Sequence, residues 1–467
     1  MKYIYSFLFL LLAVTTTTQA QNCDCSENFN FMVQHIKKNY VGFNDKVVKH
    51  NQQQFDHFTD SIQRVAKNTG TNKCISLCKE WLDFFKDRHM TMTFNAGLPK
   101  DSIHYFFSKE EKTKWTESNL KSYLNNHKNS IDSIEGIWSH ESNNFKYGII
   151  RDSLIHDEFI GFVIKADGVF WIPQQIKFKL KKTNQTYSFK YFLARDHSNY
   201  PAKISLQKDT IDLKELGRFY KNAPPEYKFQ LATNSPKFEK LDKKTSVLTI
   251  PSFDIALRQE SDSLMIKNAS ALENTEHLII DLRNNRGGAI GAFEKILPYL
   301  YTNPILTEGA EVLATDDNIK DGFEEIPTDI PEDVQNTLKK DLVKLKAHRG
   351  EMYLLYPVDT IRYNIILKKP SRVSVLMNKE SSSSAELFAL QAKQSTKVKL
   401  YGINSAGSIN YVERVETQMP CKFFTLIYPP TRLLRANKDK ANEGIKPDVV
   451  ISTDVKDWVK FVKDYKL

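Results

Sequence analysis

Apolar positions divide the chain into three stretches of different period. Over residues ~26–145 they recur at helical spacing. Phe29, Phe31, Met32, Ile36 and Tyr40 form one set, and Ile75, Leu77, Trp81, Leu82, Phe84 and Phe85 a second. Ser108 to Leu124 reads as a third helix, with Ser108 as N-cap and Glu111 three residues on. Met90 to Phe94 reads as a short strand. Residues ~146–235 carry β-branched and aromatic runs, Tyr147–Ile150, Phe159–Ile164 and Tyr187–Phe192, separated by turn residues such as Ala166-Asp167-Gly168. From ~236 the pattern alternates. Strands are predicted at Ser246–Ile250, His277–Leu282, Ser371–Met377 and Lys397–Tyr401. Helices are predicted around Ile266–Ala271, through Ala292, Phe293, Ile296, Leu297 and Leu300, and after Ser381–Ser384. Residues ~316–350 read as a charged helical insertion, and no internal repeat is visible. Strand–turn–helix repetition predicts an α/β domain with functional groups at the carboxyl ends of its strands.

The first twenty residues stand apart from this layout. Met1-Lys2-Tyr3, the apolar run Ile4–Val14 and the small residues Thr15–Ala20 have the form of a secretory leader cleaved after about Ala20. The run is too short to span a bilayer. The expected organisation is therefore a leader at 1–20, a helical region at 21–145 and a β-rich module at 146–235. An α/β core at 236–467 completes it. The expected location is the periplasm, the cell envelope or the exterior. Cys23 follows Asn22, where lipidation wants a small residue, so a lipid anchor is not expected.

Composition adds less. In 467 residues, 41% are hydrophobic, 26% charged and 12% aromatic, as in a globular chain with a substantial core. The net charge of +10 becomes +9 without Lys2. Its lysines are dispersed, as at Lys177, Lys179, Lys181 and Lys182 or at Lys339, Lys340, Lys344 and Lys346, without a nucleic-acid motif. Solvated faces are the expectation, with no nucleic-acid partner. Four of five cysteines, Cys23, Cys25, Cys74 and Cys78, lie in the first eighty residues. For an exported chain two disulfides among these four are expected rather than a zinc site, with Cys421 free and buried.

Three places carry candidate chemistry. The strand Val373–Met377 delivers Ser381-Ser382-Ser383-Ser384 to a helix start, where free N–H groups can receive an oxyanion. A helix cap would also explain a serine there, but a cap needs one, not four. Asp281-Leu282-Arg283-Asn284-Asn285-Arg286-Gly287-Gly288 ends another strand in a glycine pair that suits a tight turn or a close backbone approach. It lacks the G-x-G start of a dinucleotide loop, and no nucleotide or other cofactor is expected. His89, in Asp87-Arg88-His89-Met90-Thr91, lies between the second apolar set and the predicted strand.

Together these places resemble the C-terminal processing (tail-specific) peptidases and the tricorn core proteases. That family pattern is D-x-R-x-N-x-G-G, then [T/S]-x-S-A-x-E, a glycine loop and a terminal G-[IV]-x-P-D-[IV]. Here these read Asp281–Gly288, Ser381–Glu386, Gly402–Gly407 and Gly444–Val449. The resemblance implies a crotonase-like ββα serine peptidase core acting on peptide or unfolded protein. Ser383 would be its nucleophile, and the N–H groups of Ser384 and of Gly287 or Gly288 its oxyanion hole. The processing branch takes its base from a lysine where this chain has Ser408. The tricorn-like branch uses a histidine, which falls on His89, and a late glutamate, which falls on Glu443. A serine that precedes the histidine in that branch is replaced by Arg88. The β-rich module shows no carboxylate-binding loop of a PDZ domain. Two readings follow: a serine endopeptidase using Ser383, His89 and Glu443, or a silent member of the fold that binds a peptide or small ligand.

Overall fold

The computed structural model describes residues 23–152, 155, 157–183, 186–213, 216–221, 235–437 and 443–465. The leader expected at 1–20 lies outside the described residues. At the centre is a six-stranded sheet in the order Lys237–Lys240, Thr245–Thr249, His277–Asp281, Arg372–Met377, Val398–Gly402, Val449–Val450. The first pair is antiparallel and the other four pairings are parallel. His277–Asp281 is buried at every position and Arg372–Met377 at all but the first. Such continuously buried strands are expected where both faces of a parallel sheet are covered. One face carries the helix Ser384–Ala392 with Phe253, Phe293 and Leu300. The other carries Trp458 and Val462 of the helix Trp458–Asp464. The register aligns Asp281 with Leu376 and Met377 with Gly402, so three candidate loops leave the sheet at one edge.

Two predicted helices are different in the structure. The apolar set at 292–300 is split into a 3-10 turn, Ile290–Ala292, and a short helix, Leu297–Leu300. Pro298 has no N–H to donate and disfavours a continuous helix through it. Ser108 ends the helix Lys100–Phe107 rather than capping a new one, and the next helix is Glu117–Asn126. Its N-cap is Thr116, whose side chain and Asn119 form a reciprocal capping box. The β-rich region is a nine-stranded antiparallel sheet whose first strand, Gly136–His140, precedes residue 146. Helices Asp316–Gly322 and Glu332–Ala347 occupy the charged insertion.

The N-terminal helices do not close a core by themselves. Phe29, Trp81 and Phe85 pack in one cluster with Val415, Phe424, Leu426 and Tyr428. The strand Thr91–Phe94 pairs antiparallel with Phe424–Tyr428. Two disulfides are present, Cys23–Cys421 and Cys25–Cys74, and Cys78 is the buried free thiol. The expected roles of Cys78 and Cys421 are therefore exchanged. Cys421 is 398 residues from Cys23 in sequence, and only the tertiary fold brings their Cα atoms to 4.8 Å. Among the described residues no group of three His, Cys, Asp or Glu side chains could hold a metal ion. No described helix is long and apolar enough to cross a membrane.

Candidate active site

The four serines have four different situations. Ser381 is buried and donates from Oγ to Leu282 O at 2.8 Å, while its Oγ accepts from Asn378 N at 3.0 Å. It thereby staples the end of one core strand to the next. Ser382 N donates to Asn285 O at 3.0 Å, tying the serine run to the glycine turn. Ser383 stands alone at φ 56° and ψ −123°, outside the regions a non-glycine residue ordinarily occupies. Strain of this kind is found at functional sites. Ser384 opens the helix Ser384–Ala392, so its N–H lies outside the intrahelical ladder. Its buried Oγ has no hydrogen-bond partner among the described residues.

The glycine turn lies directly against this elbow. A Cβ on Gly287 would stand 2.7 Å from Ser383 Cβ and 3.0 Å from Ser384 N, and one on Gly288 2.1 Å from Phe253 O. Both glycines have positive φ, 94° and 140°. Gly287 N donates to Asn285 Oδ1 at 2.8 Å. Gly288's N–H has no acceptor among the described residues. Of the two donors the sequence left open, Gly288 is thus the one left for a ligand. The D-x-R pair is structural: Arg283 clasps the Asp281 carboxylate through Nε and Nη2 at 2.6–3.1 Å.

His89 follows the helix Thr71–Leu82 and the 3-10 turn Asp83–Phe85, immediately before Thr91–Phe94. Its main-chain N donates to Asp87 Oδ1 at 2.9 Å, and its Nδ1 lies 3.8 Å from the same oxygen. Nδ1 is buried and makes no hydrogen bond. Tyr40 donates to the other Asp87 oxygen at 2.9 Å. Burial lowers the His89 pKa below 6.5; Asp87 and Glu386 oppose that shift and Arg414 adds to it. Burial raises Asp87 above the usual carboxylate value, against the opposing pull of His89 and Tyr40. Arg88 is exposed.

Sequence reasoning missed the centre of this arrangement. Glu386, 1% exposed, accepts five hydrogen bonds. Ser405 Oγ and Gly407 N donate to Oε1 at 2.5 and 2.8 Å. Ser383 N, Ser408 N and Ser408 Oγ donate to Oε2 at 3.0, 2.9 and 3.1 Å. Ser408 thus binds the carboxylate that also holds Ser383. The charge of Glu386 also acts on His89, raising its pKa against the effect of burial. Glu443 is exposed, and its carbonyl accepts from Asn404 Nδ2 at 3.0 Å. Asp87 and Glu386 are carboxylates whose charge acts on His89. The signal that could have pointed to Asp87 was its position two residues before the histidine. Nothing local in the sequence marks the five donors of Glu386.

Residues 244–451 match the model described as Peptidase family S41. Mature CPAF complexed with lactacystin is similar at 13% identity and a TM-score of 0.50, over 92% of this chain and 94% of that one. A CPAF mutant matches at 12% identity and a TM-score of 0.52, over 92% and 93%. The photosystem II D1 C-terminal processing protease matches at 10% and 0.38, over 92% and 94%. At such identities the CPAF likeness is one of fold. No curated protein matches the chain.

Proposed function

We propose, from the match of residues 244–451 to peptidase family S41, that this serine-type peptidase is an exported endopeptidase acting on peptide or protein, with Ser383 as nucleophile and His89 as general base. Ser383 Oγ gives its proton to His89 and attacks the scissile carbonyl carbon. The oxyanion accepts from the N–H groups of Gly288 and Ser384, at a helix N-terminus whose dipole favours negative charge. His89 then passes the proton to the leaving amine, and water releases the acyl group by the same route in reverse. Asp87 takes the orienting role that sequence reasoning gave to Glu443, because it faces Nδ1 at 3.8 Å. Substrate binding is expected to tighten that contact. A crotonase-like ββα core is part of this reading, supported by the parallel strands of the central sheet and the helix Ser384–Ala392 packed on it. Export is supported by the leader-like start and the two disulfides.

The observation that carries this reading is the left-handed backbone of Ser383 beside a glycine pair. Ser383→Ala is expected to abolish hydrolysis and fluorophosphonate labelling while leaving the thermal midpoint nearly unchanged. Loss of a nucleophile that works with a base typically lowers kcat by about six powers of ten. Labelling that survives in Ser383→Ala and disappears in Ser382→Ala would put the nucleophile at the wrong serine. A wild-type protein that neither labels nor hydrolyses would favour the silent ligand-binding member.

A further inference from the structure

Resting on the peptidase reading, we propose that Glu386 is the positioning residue of this site: one buried carboxylate that clamps the nucleophile elbow to the loop 405–408 and supplies a second negative charge for His89. Its five hydrogen bonds come from three backbone N–H groups and two hydroxyls, every one a neutral donor. An ionised carboxylate only accepts, which suits five donors on two oxygens; an amide would turn hydrogens toward some of them. The donors lie on two separate segments. Ser383 belongs to the elbow, and Ser405, Gly407 and Ser408 to the loop after Val398–Gly402. Ser405 Oγ also accepts from Ile445 N at 2.6 Å, so the clamp extends to the terminal G-I-K-P-D segment. Where the processing branch has a lysine, this chain has a hydroxyl that adds to the anion's donors. The place of the lysine is thus used to hold the elbow.

The charge matters because burial disfavours a cation on His89. Asp87 on its own loop, Glu386 on the elbow helix and Arg414 act on its charge, together with the backbone of Tyr411. Behind Asp87 stand Tyr40 and Lys46. When His89 takes the Ser383 proton, a cation forms in a buried site. Two carboxylates favour that cation and one guanidinium opposes it. Among the described residues Glu386 has no salt bridge, and neutral dipoles hold it in place.

The test is Glu386→Gln with the His89 titration followed by NMR of the imidazole Cε1–H, in a Ser383→Ala background. Removing the anion is expected to lower the His89 pKa by about 0.5 unit or more. In the Ser383 enzyme kcat should fall about 100-fold or more, with KM within a few-fold and the acid limb of kcat/KM moved to lower pH. A merely structural role would lower activity and leave the titration in place. A titration unchanged or moved upward, or a kcat within threefold of wild type, overturns the proposal. If Glu386→Gln does not fold, Ser405→Ala/Ser408→Ala removes two hydroxyl donors and keeps the charge. This double variant should lose about tenfold or more in kcat with the His89 titration unmoved, and an undiminished kcat would sink the clamp. The titration is read without hydrolysis. An inactive wild type would therefore count against the peptidase reading and not against the placement of Glu386.

Discussion

Gly287→Ala adds one methyl group where the elbow and the glycine turn touch. The new Cβ would stand 2.7 Å from Ser383 Cβ, 2.8 Å from Ser382 O and 3.0 Å from Ser384 N. Carbon atoms normally approach to about 3.5–4.0 Å, so relief requires a relative shift of roughly 0.5–1 Å. All three atoms are backbone or Cβ, and no flexible side-chain end can swing aside. The residue must also keep φ at 94°, which adds strain of about 1–3 kcal/mol. The shift falls on the Ser384 N–H and on Gly288, the two proposed oxyanion donors. Losing one such donor typically lowers kcat by about 10²–10³, or about 2.7–4 kcal/mol of transition-state stabilisation. The expected result is that loss in kcat, a KM within a few-fold, and a thermal midpoint lower by a few degrees. Steady-state kinetics on a fluorogenic peptide, the fluorophosphonate labelling rate and a melting curve measure all three. Gly288→Ala is the contrast: its Cβ would lie 2.1 Å from Phe253 O, so stability should suffer more. A Gly287→Ala enzyme with kcat within threefold of wild type would refute the reasoning, because the turn could then not border the reacting carbonyl.

Other expectations follow from the same structure. The base must be neutral to act, and burial holds His89 below 6.5. Activity should therefore be full above its folded pKa and fall only below pH 6.5, and His89→Ala should match Ser383→Ala in severity; an acid limb above 6.5 would contradict this. The unreduced protein should be four hydrogens lighter than its reduced form, and peptide mapping should give Cys23–Cys421 and Cys25–Cys74. Native Cys78 should resist alkylation, since burial pushes its thiol to about 12. Chain entropy assigns the closure over 398 residues about 6 kcal/mol, and measured bridges commonly give about 2–4 kcal/mol. Cys23→Ser/Cys421→Ser should thus lower stability measurably in denaturant, and an unchanged midpoint would show that the bridge constrains nothing.

Much of the α/β core is legible in the sequence because its signals are local. The strand His277–Asp281 is a run of five buried residues, and Arg372–Met377 is nearly so. Each ends in a turn whose residues show themselves, a glycine pair in one case and a serine run in the other. Period and turn chemistry act over a few residues, so a one-dimensional reading can find them. The same reading failed where neighbours compete for one segment. Ser108 has the chemistry of an N-cap, but Thr116 with Asn119 makes the better box. Pro298 divides a stretch whose apolar spacing alone suggests one helix.

What joins distant segments was decided only by the tertiary structure. Nothing near Cys421 points to Cys23, and nothing near His89 points to Glu386. The N-terminal helices share a core with the strand Phe424–Tyr428, a contact between segments more than three hundred residues apart. The four serines look alike in sequence and acquire separate tasks only when Leu282, Asn285 and Glu386 present partners to three of them. Hydrogen bonds and charge interactions depend on distance in space. A chain that folds five donors around one buried carboxylate places them by its long-range topology, which no local pattern of residues encodes.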